Sequence, residues 1–192
     1  HQELHSFPTR RSSDLKVRLW LHTFNASQGT LFADDLELLE CFQGVFGEAT
    51  SWQGGSPDNM VTRAADYAVR WRHGDSTTLS RTYKDEPLNW SAHTGVSFWL
   101  HANRKTDGAF VFVIVSDDPR SEGMDYWSAK IPVNWTGWKQ FVFAFDKMTK
   151  TRSPIGLHRI DRVYFSADGW SNTPNPDTVI HLDGMMPVNV SH

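Results

Sequence analysis

Short runs of β-branched and aromatic residues, bounded by Gly, Pro, Asp or Asn, constrain the fold of this chain more than any other feature. Such runs are typical of β-strands, whereas no stretch of 12 residues carries a helical apolar period. Several short strands with turns between them predict an all-β fold, a two-sheet β-sandwich of the jelly-roll type. The runs are YAVRWRH (67–73), GVSFWLHA (95–102), AFVFVIVS (109–116), YWSAKIPV (126–133), KQFVFAF (139–145), RVYFSA (162–167) and TVIHLD (178–183).

Two of these runs predict their own position in the sandwich. GVSFWLHA alternates, so that Val96, Phe98 and Leu100 share one face. AFVFVIVS is apolar at nearly every position, which is typical of a central strand covered on both sides.

Charge and composition exclude several classes of protein. The net charge is −3, with 19 basic and 22 acidic residues, and this balance argues against a nucleic-acid binder. No apolar run approaches the 18 residues that a membrane-spanning helix needs. Cys41 is the single cysteine, so the sequence contains neither a disulfide framework nor a thiolate zinc cluster.

The motifs of the common hydrolases are missing from the sequence. It has no G-x-S-x-G nucleophile elbow and no H-E-x-x-H helix, and its nine histidines are scattered. Asp34, Asp35 and Glu37 lie too close together for the two carboxylates of a glycosidase. We therefore expect no catalysis by this chain.

A weak internal repeat predicts the domain division. GTLFADDLELL (29–39) and DTVIHLDGMMP (177–187) share a Thr, a pair of large apolar residues and a following Asp. Because the second copy stands at the end of the chain, we interpret 16–39 as the C-terminal strand or strands of an upstream β-sandwich module and 40–190 as a complete second module. The alternative is that 16–39 forms the first strands of one larger sandwich.

The first 15 residues differ in composition from the rest. HSFPTRRSSDL (5–15) has only Phe7 and Leu15 as sizeable apolar residues and cannot bury enough surface to offset the entropy of ordering. It resembles the translation of a short-read sequencing adapter joined in frame to a gene. We expect residues 1–15 to be a non-native or disordered tail, and the native start of the protein, with any signal peptide, to be missing.

Several longer stretches carry a resemblance to a known family. ECFQG (40–44), ADYAVRWRHG (65–74), the turn NWTGWK (134–139) and the loop GWSNTPNPDT (169–178) occur in the order and spacing of a carbohydrate-binding module. The chain is similar to the galactose-binding-like jelly rolls attached to bacterial heparinase II/III-like and alginate-lyase-like polysaccharide lyases.

The resemblance implies a non-catalytic β-sandwich that binds a polysaccharide and targets a covalently linked catalytic domain to it. It further implies a bacterial protein that is secreted or at the cell surface, without nucleic-acid or membrane partners. Two alternatives stay open: a structural β-sandwich spacer without a ligand, and a small jelly-roll polysaccharide lyase or hydrolase.

The resemblance also implies a structural calcium ion. Calcium takes six to eight oxygen ligands, and the family joins an acidic residue of its opening strand to an Asp of its last strand. Gln43 stands where the family usually has Glu, which removes one charge. The implied ligands in this sequence are Glu40, Gln43, Asp66 (through a nearby backbone carbonyl) and Asp183.

Nine tryptophans supply the candidate sugar platforms. We predict Trp71 and Trp99 in the core, because they alternate within strands, and Trp90, Trp135 and Trp138 as anchors at turns. Aromatic residues in loops are the better candidates, because loops carry binding residues more often than strands do. Basic residues on one strand face could add a cationic edge for uronate or sulfate groups. The predicted ligand-binding residues are Trp170, Trp127, Tyr126, Trp52, Arg70, Arg72 and His101.

Overall fold

The computed structural model describes residues 49–83 and 86–190. The predictions for 1–15 and 16–39, the start of the module at residue 40, and the ligands Glu40 and Gln43 lie outside the described residues.

The described elements are ten strands and one turn of 3-10 helix (Phe145–Lys147). Each of the seven predicted runs forms a strand. The strands are β1 (Ser56–Asp58), β2 (Ala68–Arg72), β3 (Thr78–Thr82), β4 (Gly95–Ala102), β5 (Ala109–Val115), β6 (Tyr126–Pro132), β7 (Gly137–Ala144), β8 (Thr149–Thr151), β9 (Arg162–Ser166) and β10 (Val179–Val188).

The sequence reasoning missed three strands. β1 and β8 are three residues long, and neither SPD nor TKT contains a residue with a large apolar side chain. β3, TLSRT, has a single large apolar residue, Leu79. These strands depend on pairing with a neighbour, which local composition does not reveal.

The strands form two antiparallel five-stranded sheets. The first sheet has the order β1-β2-β10-β4-β7 and the second the order β3-β9-β5-β6-β8. The chain crosses between the sheets repeatedly, as from β4 to β5 and from β9 to β10. The predicted two-sheet β-sandwich of the jelly-roll type is confirmed, and β5 lies at the centre of the second sheet, covered on both sides as predicted.

An aromatic core joins the two sheets. Phe98 of the first sheet lies with its ring centroid 4.9 Å from Phe112 and 5.4 Å from Phe165, both in the second sheet. Trp71 packs edge-on against Phe110, with 5.5 Å between the centroids. These cross-sheet contacts hold the two outer faces in fixed positions on opposite sides of the core.

Of the five tryptophans predicted in the core or at turns, three are confirmed. Trp71 and Trp90 are buried, and Trp135 contacts its own turn by donating from its Nε1 to the Gly137 carbonyl at 3.0 Å.

Trp138 was predicted as an anchor at a turn, but it lies in β7 and its ring meets that of His101 in the neighbouring strand at 5.3 Å. Trp99 was predicted in the core, but it lies half-buried on the outer face of the first sheet. There the Arg63 guanidinium covers its ring at 4.4 Å from the centroid.

Within the residues that the structure describes, no helix is long and apolar enough to span a membrane.

Candidate functional site

The structure brings two of the predicted aromatic residues together. Trp170 follows β9 and Tyr126 opens β6, yet their rings meet edge to face with 5.8 Å between centroids. Trp170 is 38% exposed, and it is the aromatic residue among the large hydrophobic side chains that the described residues expose. The pair stands over the outer face of the second sheet.

A strained turn presents Trp170. Trp170 and Ser171 have φ angles of 48° and 61°, and the Asn172 amide donates to the Gly169 carbonyl at 2.8 Å. Positive φ at both central residues is the pattern of a type I′ turn, which favours Asn-Gly. A bulky residue there is a backbone outlier, and such outliers cluster at binding and active sites.

Asp125 fixes the approach to Tyr126. Its buried carboxylate accepts from the Ser153 amide at 2.8 Å, the Asp118 amide at 3.1 Å and the Ser121 hydroxyl at 3.0 Å. These hydrogen bonds, the Ser153 amide first, hold the pKa of Asp125 below its usual range. The acidic residues of this loop therefore brace the chain just before β6.

We call the cavity beside these rings the Trp170 groove. Its volume is about 390 Å³, within the range of small-ligand sites. Hydroxyl groups dominate its polar lining, and Lys130 supplies its one cation. The lining residues are Val111, Tyr126, Ser128, Lys130, Thr149, Thr151 and Trp170.

The sequence reasoning missed the polar half of this groove. Tyr126, Ser128 and Lys130 alternate along β6 and therefore share its outer face. That period of two was visible in YWSAKIPV and could have found them. Thr149 and Thr151 join through the pairing of β8 with β6, which no local pattern announces.

Trp52 does not belong to a surface site. It was predicted as a ligand-binding residue because it stands in a polar stretch, TSWQGG, but its side chain is only 2% exposed. Its ring packs 6.2 Å from that of Phe165 in the core. A buried ring has no face to offer a sugar.

Trp127 lies apart from the Trp170 groove. As the neighbour of Tyr126 in a strand, it points to the opposite side of the sheet and packs against the core. It lines a separate cavity of about 400 Å³ with His93, Phe145 and Leu157, to which Thr94 and Asp146 also contribute.

Arg70, Arg72 and His101 lie on the other sheet. Arg72 is exposed and pairs with Asp75 at 3.0 Å. His101 is opposite His181, which is in turn opposite Arg70, in the register of β4, β10 and β2. These basic residues therefore do not edge the Trp170 groove.

Of the predicted calcium ligands, Asp66 and Asp183 lie within the described residues, and Asp183 is fully buried. Its Oδ2 accepts from the amides of Arg63 at 2.6 Å and Ala64 at 2.9 Å, while Oδ1 has no hydrogen-bond partner among the described residues. That oxygen is available to a cation, but the Asp66 side chain is exposed. Over the described ranges, no group of three or more His, Cys, Asp or Glu side chains could hold a metal ion.

Comparison with known proteins identifies the architecture and not the family. No protein-family model matches the chain, and no curated protein matches it significantly.

Solved structures do match. Two crystal structures of a family 30 carbohydrate-binding module each have a TM-score of 0.52 and 12% identity; they cover 70% and 72% of this chain and 83% and 75% of their own. A family 11 carbohydrate-binding module of a Clostridium thermocellum cellulosomal cellulase has a TM-score of 0.49 at 14% identity, covering 82% of this chain and 99% of its own. At 12% identity, the likeness to the family 30 modules shows the β-sandwich fold alone.

Proposed function

We propose that this chain is a non-catalytic carbohydrate-binding module that binds a polysaccharide in the Trp170 groove. The observation that carries the proposal is the exposed, turn-mounted Trp170 ring meeting Tyr126 edge to face beside a cavity of about 390 Å³. Two aromatic rings at an angle offer an apolar surface to the C–H faces of sugars, and the flanking hydroxyls can hydrogen-bond to sugar hydroxyls.

The strain in the turn supports a binding role for Trp170. A left-handed conformation costs roughly 1–2 kcal/mol for a residue other than Gly, and Trp170 and Ser171 both adopt it. Packing against Tyr126 leaves 38% of the Trp170 side chain exposed, so part of the ring surface stays open to a ligand. A ligand that needs an outward-facing ring at this position would account for the cost of the turn.

The lining favours a mainly neutral polysaccharide. Ser128, Thr149 and Thr151 bring hydroxyls, and Lys130 is the single charged residue among the described residues that line the groove. A uronate chain would place repeated carboxylates along a groove whose described lining offers one cation, while Arg162 on the same face stacks on Tyr164 outside that lining. We therefore expect neutral glucans, xylans or mannans to bind better than polyuronates at this site.

The fold and the resemblance support a larger context for the module. We propose that it belongs to a secreted or cell-surface bacterial protein and directs a linked polysaccharide-degrading domain to its substrate. The second candidate is a spacer of the same fold, which would bind no glycan.

Affinity electrophoresis tests the binding. Native gels containing individual neutral or acidic polysaccharides should retard the protein in at least one neutral gel, and Trp170→Ala should lose that retardation. Ile155→Ala is the matched control, because Ile155 is similarly exposed, at 37%, and lies outside the groove. An unretarded wild-type protein on every polysaccharide would favour the spacer.

We also propose that calcium binds at Asp183, where Oδ1 would be one ligand. A ligand of the native state at a hundredfold excess over its Kd adds about 2.7 kcal/mol of stability. Calorimetry should therefore show earlier unfolding in a chelator, and Asp183→Ala should abolish the difference. Identical unfolding of the wild-type protein with and without chelator would contradict the calcium proposal.

A further inference from the structure

The outer face of the first sheet carries a line of side chains that the Trp170 groove does not use. Arg70 is opposite His181, His181 is opposite His101, and His101 is opposite Trp138, on β2, β10, β4 and β7. We call these four residues the histidine row. Neighbouring strands lie about 4.8 Å apart, so the row extends over about 14 Å across the sheet.

Ring contacts make the row one continuous surface. The His101 ring meets Trp138 edge to face at 5.3 Å between centroids and His181 at 5.6 Å. Asp58 Oδ2 lies 3.1 Å from His181 Nε2, which fixes that imidazole from its other side. The three rings of the row are therefore held in place by one another and by Asp58 before any ligand arrives.

Hydrogen-bonding capacity remains unused in the row. His101 Nδ1 and His181 Nδ1 are both buried and have no hydrogen-bond partner among the described residues. Buried polar atoms are normally paired with protein or water. Because neither nitrogen is exposed, a polar ligand on this surface would reach them through a water molecule or after a small shift of the rings.

The charges on this face favour an anion. Asp183 is fully buried and its Oδ2 accepts from backbone amides, while Asp58 contacts His181 and the Met60 amide. Arg70 makes no ion pair within residues 49–83 and 86–190, whereas Arg72 on the same strand is paired with Asp75. Asp58 is therefore engaged and Asp183 is withdrawn from the surface, whereas the Arg70 guanidinium is left for a partner.

We propose that the histidine row is a second glycan-binding site, separate from the Trp170 groove, and that it takes an acidic polysaccharide built of uronic or sulfated sugars. A sugar ring lies on Trp138, and a carboxylate or sulfate of the same chain pairs with Arg70, whose planar guanidinium matches those groups in a bidentate manner. The polysaccharide lies across the strands, because the ring and the guanidinium stand at opposite ends of the row.

The site can be tested apart from the groove. Binding of alginate, polygalacturonate and heparin is measured by affinity electrophoresis and isothermal titration at low salt. Arg70→Gln and Trp138→Ala should each weaken binding of at least one of these at least tenfold, and Trp170→Ala should leave it within twofold. Arg159→Gln is the matched control, because it removes one exposed, ion-paired arginine elsewhere and should also change binding less than twofold.

Four results would overturn the proposal. The first is that no acidic polysaccharide binds the wild-type protein, and the second is that Arg159→Gln weakens binding as much as Arg70→Gln, which would show an effect of net charge. The third is that Trp170→Ala abolishes binding of the acidic polysaccharide, which would place that binding in the Trp170 groove. The fourth is that single-stranded RNA binds with the same dependence on Arg70, which would show a general surface for polyanions. Arg70→Lys, which keeps the charge, guards against misfolding: intermediate affinity at an unchanged melting temperature supports a bidentate contact. Full wild-type affinity in Arg70→Lys would contradict the bidentate contact.

Discussion

The two outer faces of the sandwich are built in opposite ways. On the first sheet, imidazoles and carboxylates contact one another, as Asp58 does with His181, and the register of β2, β10 and β4 is continuous over Ile180–Leu182, where these contacts lie. The β-bulge of this sheet comes after Asp183, and its positive φ falls on a glycine, Gly184. On the second sheet, hydroxyl-bearing strands lie beneath a loop whose Trp170 has a positive φ. In the Trp170 groove, a strained turn holds a single aromatic ring outward. In the histidine row, contacts between neighbouring strands hold the rings in place without a strained turn.

The largest effect should come from the core that both faces share. Trp52→Ala should lower the free energy of unfolding by about 3–5 kcal/mol, because it empties a fully buried aromatic site. Trp170→Ala should lower it by less, about 1–2 kcal/mol, because 38% of that side chain is already exposed in the folded protein. Urea unfolding of the two variants measures the contrast; equal losses would show that Trp170 is a packing residue.

Lowering the pH should reduce the stability of the protein through His73, which directly follows β2, before it changes binding in the Trp170 groove. Burial lowers the pKa of His73 to about 4, and the ring packs 4.2 Å from that of Trp71. Below pH 6.5 the unfolded chain binds this proton, whereas the native ring binds it only near pH 4, so stability falls as the pH is lowered through that window.

His73→Phe should recover up to about 3 kcal/mol of that loss at pH 4. The comparison is urea unfolding at pH 7 and pH 4, with His158→Gln as the control, because His158 is exposed. An unaltered pH dependence in His73→Phe would contradict the assignment. The affinity of the folded protein for a neutral polysaccharide should not change between pH 7 and pH 5, because no histidine lines the groove.

The smallest effect should come from the contact between Asp58 and His181. Burial alone would raise the pKa of Asp58, but the Met60 amide and His181 hold it below its usual value. The contribution of the ionised Asp58 to the free energy of unfolding is therefore present above pH 3.8, and it is lost as the pH falls through the pKa of Asp58 in the folded protein. Burial lowers the pKa of His181, so at neutral pH the contact is a hydrogen bond between a neutral imidazole and the carboxylate. Asp58→Asn, which keeps a hydrogen-bond acceptor, should therefore cost about 0.5–1 kcal/mol at neutral pH. A difference from the wild-type protein that persists unchanged in strong acid would contradict this.

The sequence predicted the strands that bury apolar residues and missed those that do not. Alternation and apolar runs are local signals, so β4 and β5 could be recognised without their neighbours. β8 has no such signal, and it forms because the register of β6 offers Tyr126 and Ser128 as partners for Thr151 and Thr149.

The candidate site was predictable in part for the same reason. Trp170 and Tyr126 stood out as aromatic residues in or beside loops, but their meeting depends on long-range pairing. Trp52 stood in an equally polar stretch, and only the packing against Phe165 separates it from a surface residue. His181 was missed because its importance arises from register across three strands.

The central claim is that the turn holds Trp170 outward for a ligand and at a cost to stability. The double substitution Trp170→Asn with Ser171→Gly gives the turn its preferred residues while removing the ring. The measurement is isothermal titration, with a melting curve of the same sample, against a neutral polysaccharide that binds the wild-type protein. We expect at least a tenfold loss of affinity together with a gain of about 1 kcal/mol in stability. Wild-type affinity in this variant would contradict the account.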